Sequence, residues 1–378
     1  MAPDTAFLTP SELHDAVSTN TDSHFKPFRL KLANGATLTG LPHVSSRQTY
    51  NANPRPLLIG IHGATCSAYT YDLSPQYTGS TYSHMFGIPI IAFNRPHCLD
   101  SSGWLVDRSS QEPNKPAFND EGGASYFENE GLWMHEYILP ALWNEFDESS
   151  GCTGIVTTSH FMAVPITIVA AAAYCTQTVR ERQYPWNGMI LSGFSAQNTV
   201  HCGKVSAALQ TDPHREPHEM PLGHDYRIHI PPFWPADQAD LMLGPQGLGT
   251  DPNLRTLFQK STTPFLTGKV SDLFGWWPQN SAQFKASITL PILYGLGEYD
   301  WVWQGTKRNV EAFCAGFVNA ERVEGACVEG SPHAIELGAC GRGWWIRCCG
   351  WALEVTASAA MRAMRDKPAK FEQGERTI

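Results

Sequence analysis

Long runs of like charge, apolar stretches of bilayer length and metal-type cysteine spacing are all missing from this 378-residue chain. The longest apolar stretch, around residues 164–174, is too short to cross a bilayer. Residues 1–17 hold no basic start followed by an apolar run, so no secretory leader is expected and the chain reads as intracellular and cytoplasmic. The formal net charge of -9 is spread thinly, with no basic face for nucleic acid. Ten cysteines are scattered without a C-x-x-C pair, so free thiols are expected rather than a disulfide framework. There is no G-x-x-x-x-G-K-[ST] phosphate loop, no H-E-x-x-H and no G-x-G-x-x-G after a strand. His214, His218, His224 and His229 gather with Asp212 and Glu219, but their spacing fits no standard metal set, and a solvated or pocket-lining stretch is the simpler reading. We therefore expect no cofactor and no metal.

What is present is a globular composition, 42% hydrophobic and only 17% charged. Twelve tryptophans, several in Pro- and Gly-rich stretches, fit either an aromatic-lined cavity or an ordinary core. Residues 25–44 read as a hairpin turning at Asn34-Gly35. Continuous apolar runs at 57–61, 88–93, 155–158, 189–191 and 288–293, the last interrupted by Pro291, have the character of strands buried on both faces. Helical periods cover 127–146, 162–182, 306–317 and 343–364. Alternating strands and helices predict an α/β fold, a mostly parallel sheet with helices on both faces. Residues 195–287 lack strong periodicity and fall between two core strands, which predicts a cap inserted between core segments 1–194 and 288–378. No internal repeat is visible.

Open α/β sheets bind ligands outside the carboxyl ends of their strands, so the residues just after each strand matter most. After 155–158 comes Ser159-His160-Phe161-Met162-Ala163 and then an Ala-rich helix. Small residues two before and two after a central position mark a nucleophile elbow, usually G-x-S-x-G, because the turn is tight and backbones come close. Pro165 fits the first turn of the following helix. The central place belongs to Phe161. Gly297-Glu298-Tyr299-Asp300 comes after a later strand and offers Asp300 as triad acid, with Glu298 in reserve. Gly330-Ser331-Pro332-His333 precedes the last long helix and offers His333 as the acid–base residue. The chain order nucleophile, acid, histidine is that of one serine-hydrolase fold and differs from the others. His62-Gly63-Ala64-Thr65 comes after the first central strand. Ala64 and Met162 would supply oxyanion N–H groups, with His62 and Gly63 shaping that loop. His62 fits a core position equally well. His160 would lie beside the pocket or in packing, and Cys66 and Cys98 are minor candidates for a nucleophile.

With these residues the chain resembles the α/β-hydrolase superfamily over nearly its whole length. Gly330 to Leu337, with Gly343-Trp344-Trp345-Ile346-Arg347-Cys348 and Gly350, is similar to a group of fungal hydrolases of toxin and other secondary-metabolite biosynthesis. That resemblance implies a small, mostly apolar substrate such as a polyketide-derived ester, lactone or thioester, and leaves room for a homodimer. Some relatives carry a peroxisomal tripeptide, which Arg376-Thr377-Ile378 does not match.

Phe161 is the departure. A benzyl group has no lone pair to attack with, so the acyl-enzyme route is closed. Three readings stay open. His333 and Asp300 work without a nucleophile, in proton-transfer, lyase, cyclase or water-mediated chemistry. Alternatively, a serine hydrolase has had its nucleophile replaced in this copy. In the third, the pocket is a receptor without catalysis.

Overall fold

The computed structural model describes residues 25–44, 54–102, 125–199, 202, 238–244, 250–260, 263, 269 and 272–365. Ten strands occur among them: β1 (Phe28–Lys31), β2 (Thr37–His43), β3 (Pro56–Ile61), β4 (Asp72–Ser74), β5 (Tyr77–Thr78), β6 (Ile90–Phe93), β7 (Gly154–His160), β8 (Trp186–Ser192), β9 (Ile292–Gly297) and β10 (Val323–Val328). Eight of them form one sheet in the order β1-β2-β6-β3-β7-β8-β9-β10. The hairpin β1–β2 turns at Gly35, with φ 82°, and joins β6 antiparallel; every later pairing is parallel. The chain leaves β3 toward β6 on one side and returns to β7 on the other. The carboxyl ends of β3 and β7 therefore flank the point where strand order reverses, the usual ligand crevice of such sheets.

The helices are α1 (Gly79–Phe86), α2 (Tyr126–Trp133), α3 (Leu139–Ser150), α4 (Ala163–Thr176), α5 (Gln238–Leu243), α6 (Pro252–Lys260), α7 (Trp277–Ala286), α8 (Lys307–Ala315) and α9 (Gly341–Arg365), with a π turn at Met134–Ile138 joining α2 to α3. The period-two geometry of a strand sends neighbouring side chains to opposite layers. Leu57, Ile59 and Ile61 of β3 join the cluster built on α2, α3 and α4, whereas Leu58 joins Trp344, Trp345, Cys348 and Val355 of α9 on the other face. Both faces are thus covered, which is why these strands read as unbroken apolar runs.

α4 is apolar all round and buried for most of its length, as befits a helix at the centre of a layer. Gly131 lets α2 approach it closely: a Cβ there would lie 2.6 Å from Val169 Cβ and 2.8 Å from the Ile166 carbonyl oxygen. Val164, Ile166, Ile168 and Val169 are fully buried, each contributing about 1.5–3 kcal/mol of apolar burial.

The observed strands differ from the apolar runs by a few residues at their ends, and two departures have a physical reason. β9 begins at Ile292, after Pro291, whose missing N–H cannot join the ladder. β10 was not legible at all, because it is a half-exposed edge strand carrying Glu324 and Gly325. The histidine-rich stretch with Asp212 and Glu219, the N-terminal residues 1–24 and the C-terminal tripeptide lie outside the described residues. Within 195–287, α7 packs against α4, with Trp277 wedged edge-on between Phe127 and Phe194. No described helix is long and apolar enough to cross a membrane.

Candidate active site

β7 ends at His160 and α4 begins at Ala163, so Phe161 sits on a two-residue turn with φ 51°. Its N–H donates to the Ser192 carbonyl (3.0 Å), and its own carbonyl accepts from Val164 (2.9 Å). The left-handed region costs an L-residue about 1–2 kcal/mol, and a large side chain there signals a position fixed by its surroundings. Four non-glycine residues have positive φ among the described ones: Thr65, His97, Leu99 and Phe161. All four come after the carboxyl ends of β3, β6 or β7. The elbow pattern predicts a positive φ at Phe161, whereas Thr65, His97 and Leu99 carry no such mark, since none of them is Asn, Asp or Gly.

The β3 loop closes on this turn. A Cβ on Gly63 would stand 3.2 Å from Phe161 Cβ and 3.0 Å from His160 Cδ2, so a side chain there would push the loop and the elbow apart by a few tenths of an ångström. Ala64 and Met162 are fully buried, and among the described residues neither donates its N–H to a backbone partner. They are the two N–H groups expected to face an oxyanion. The His62 side chain does something else. Its Nδ1 lies 2.9 Å from the Gly63 carbonyl and its Nε2 accepts the Arg95 N–H at 3.0 Å. Burial, then the Arg95 charge, holds His62 well below the usual histidine range. Its ring is thus a neutral brace between the β3 and β6 loops.

His333 lies in the loop after β10, with Nδ1 2.8 Å from Asp300 Oδ2 and both side chains fully buried. Asp300 Oδ1 accepts the N–H groups of Val302 (2.7 Å) and Trp303 (2.9 Å). A carboxylate anchored in this way assigns the proton of neutral His333 to Nδ1 and leaves Nε2 as an acceptor. That Nε2 is buried and has no partner among the described residues. The Phe161 ring stands edge-on to the His333 ring, with centroids 4.7 Å apart. Trp303 and Phe194 continue the apolar wall. Glu298 is exposed and accepts the Gly330 N–H at 2.9 Å, so it braces the histidine loop while Asp300 holds the ring.

His160 comes to lie against His333, ring centroids 4.8 Å apart. Its Nδ1 is 3.2 Å from Ser192 Oγ, which donates to Glu336 Oε1 at 2.7 Å. Glu336 was missed by sequence reasoning, although it stands three residues after His333. Burial pushes its carboxyl up and holds His160 well below the ordinary range. Cys66 is buried with its thiol pushed up to about 12, and burial raises Cys98 as well, so neither is the low-pKa thiolate that a nucleophile requires. Among the described residues no group of three or more His, Cys, Asp or Glu side chains is arranged to hold a metal ion.

No family model matches the chain. No curated protein matches it in sequence. Solved structures do resemble it. A thermophilic esterase from Thermogutta terrifontis with malate bound superposes with a TM-score of 0.53 at 11% identity, covering 88% of this chain and 99% of the esterase. A lipase in an open form superposes at 0.52 with 16% identity, over 88% of this chain and 99% of the lipase. At such identities the likeness speaks for architecture alone, and it agrees with the mostly parallel eight-stranded sheet. The chain has the α/β-hydrolase fold.

Proposed function

We propose that the chain is an enzyme of the α/β-hydrolase superfamily in which His333, oriented by Asp300, performs acid–base chemistry on a small apolar substrate without a serine nucleophile. The observation that carries this reading is the fully buried His333–Asp300 pair whose Nε2 has no partner among the described residues. Such a pair has a standing cost, since a buried acceptor without a partner loses about 1–3 kcal/mol. A simple receptor has no use for it. Nε2 would take a proton from a substrate carbon or hydroxyl, and the N–H groups of Ala64 and Met162 would hold the oxygen that gains charge. Phe161, Trp303 and Phe194 supply an apolar, water-poor wall. Elimination, cyclisation, isomerisation and water-mediated cleavage all fit these parts. The link to fungal secondary metabolism and polyketide-like substrates rests on the resemblance in the tail sequence.

Residues 195–287 serve in this reading as the cap over the site. Two contacts support that role: the Thr263 N–H donates to the Thr65 carbonyl at 2.9 Å, and the Ala334 N–H, next to His333, donates to the Met242 carbonyl at 2.8 Å.

A second reading has its own support. The elbow keeps its strained φ of 51° and its small flanks even with phenylalanine in place, as expected if a serine once stood there and the chain were otherwise a hydrolase. A fluorophosphonate probe with short aryl esters, applied to this protein and its Phe161→Ser variant, separates the two. Labelling and ester turnover in the variant alone identify a hydrolase lacking its nucleophile. An inert variant, combined with His333-dependent ring opening of nitrobenzisoxazole by the parent protein, supports acid–base chemistry. Inertness in both assays overturns the enzyme reading.

A further inference from the structure

His333 poses a problem of proton supply. Its side chain is wholly shielded from solvent, so a proton taken up at Nε2 has no direct way out. The His160 ring packs edge-on against His333, centroids 4.8 Å apart, and its Nε2 is likewise buried with no hydrogen-bond partner among the described residues. Two packed imidazole rings that each carry a buried nitrogen with no partner among the described residues are uncommon, because each forfeits a hydrogen bond. The backbone is shaped to permit it. Gly193, at φ 60°, passes so close that a Cβ there would lie 2.4 Å from His160 Cε1 and 2.8 Å from Nδ1.

We propose that His160, Ser192 and Glu336 form a proton relay connecting His333 to the solvent on the far side of the elbow. The steps balance. Protonated His333 gives its Nε2 proton to a bridging water, which gives one of its own to His160 Nε2, since the two nitrogens are not hydrogen-bonded to each other. His160 passes its Nδ1 proton to Ser192 Oγ, 3.2 Å away, and Ser192 passes its own to Glu336 Oε1, 2.7 Å away. His333 is again neutral, His160 has changed tautomer, and Glu336 is a carboxylic acid. Reversal resets the chain. Trp344 Nε1, 3.3 Å from the same carboxylate oxygen, fixes its orientation.

The exit is visible in the surface. A narrow cleft of about 20 Å³ is lined by His160, Glu336, Tyr71, Tyr77 and Trp345, and a second of about 50 Å³ shares Tyr77, Glu336 and Trp345 and is also lined by Gln76 and Arg342. Glu336 stands at the junction and is partly exposed. The other titratable groups of the inner cleft are otherwise engaged. His62 has both nitrogens bonded and Tyr71 donates to the Thr158 carbonyl at 3.3 Å. Burial raises Tyr77. Burial also raises the Glu336 carboxyl and lowers His160, which brings donor and acceptor closer in proton affinity.

His160, Ser192 and Glu336 act through His333 and are positioning residues. The relay rests on the acid–base reading but is tested without turnover. Solvent exchange of the Nε2 proton of protonated His333, resolved from the Asp300-bound Nδ1 proton, is measured by NMR on the full chain, labelled with ¹⁵N-histidine, in the parent protein and in Glu336→Gln and Ser192→Ala. The relay predicts exchange slower by about tenfold or more in both variants. A merely packing role predicts the opposite, since loosening the site speeds exchange, and unchanged or faster exchange overturns the proposal. If Ser192→Ala does not fold, the nearly isosteric Glu336→Gln decides alone. Nitrobenzisoxazole turnover is measured in parallel. Slow exchange in the variants with an inert parent protein leaves the relay standing and removes only the acid–base activity.

Discussion

Two histidines sit at the carboxyl edge of the sheet, His62 after β3 and His333 after β10, and they are buried to nearly the same extent, 2% and 0% exposed. Burial does not tell them apart. His62 has a partner on each ring nitrogen, and those partners tie two loops together. His333 has a carboxylate on one nitrogen and, among the described residues, nothing on the other. A polar atom that folding leaves unsatisfied, on a ring that folding has oriented, is the stronger sign of chemistry. The first histidine stabilises the edge, and under the acid–base proposal the second uses it.

The largest expected effect breaks that contrast at His333. His333→Gln should lower base-catalysed ring opening of nitrobenzisoxazole by about 10²–10⁴-fold, the usual worth of a placed general base. Circular dichroism should show an unchanged fold. Retention of the rate in a folded variant would place the base elsewhere.

Phe161 covers His333, and its substitution comes next. Removing a fully buried phenylalanine costs about 3–5 kcal/mol. The turn adds a test of its own: at φ 51° glycine escapes the left-handed penalty of about 1–2 kcal/mol that alanine still bears. Urea unfolding should therefore find Phe161→Gly more stable than Phe161→Ala, the reverse of their order in a strand or helix interior. Equal stabilities would mean that the turn relaxes once the ring is gone.

His62→Ala should cost about 1–3 kcal/mol, because the Arg95 N–H is left buried without an acceptor. Its pH signature is distinct. Unfolded histidine titrates near pH 6.5, whereas folded His62 stays neutral well below that. The unfolded chain then binds more protons, so this contribution to stability is complete above about pH 6.5 and is lost as the pH falls below it. His97, pushed down to about 3 by burial, and His135 and His160 act in the same direction. Unfolding measured between neutral and mildly acid pH should show the slope shallower in His62→Ala by up to about 1.4 kcal/mol per pH unit. A slope unchanged by the substitution would mean that His62 titrates normally in the fold.

The legibility of each feature in the sequence depends on the kind of contact that makes it. Strands β3 and β7 could be read because burial on both faces forces unbroken apolar runs. β10 could not, since a half-exposed edge strand buries only part of Val323, Cys327 and Val328 and its run is broken by Glu324 and Gly325. Asp300 and His333, whose side chains meet at 2.8 Å, could be paired from the sequence because each falls at a fixed place after a strand, in a fixed order. The chain His160–Ser192–Glu336 draws on the elbow, the end of β8 and the turn before α9, three segments far apart in sequence, and Ser192 looks like any strand end. The part of His62 was undecided for the same reason. Its partner is the Arg95 amide, and a backbone N–H leaves no mark in a sequence.

The smallest expected effect separates two carboxylates of one loop. Asp300 and Glu298 are two residues apart, and by position either fits the triad acid. Asp300 Oδ2 meets His333, and the rest of its carboxylate is held by two N–H groups. Glu298 is exposed and takes the Gly330 N–H instead. Glutamine keeps a carbonyl oxygen able to accept that N–H, so Glu298→Gln should change stability by less than about 0.5 kcal/mol. It should also leave nitrobenzisoxazole turnover near the parent rate. Asp300→Asn presents an amide that reverses the acceptor His333 needs, and its rate should fall with that of His333→Gln. If Glu298→Gln were the slower variant, the acid would have to reach His333 in a rearranged loop, and the proton of neutral His333 would no longer be assigned to Nδ1 by Asp300.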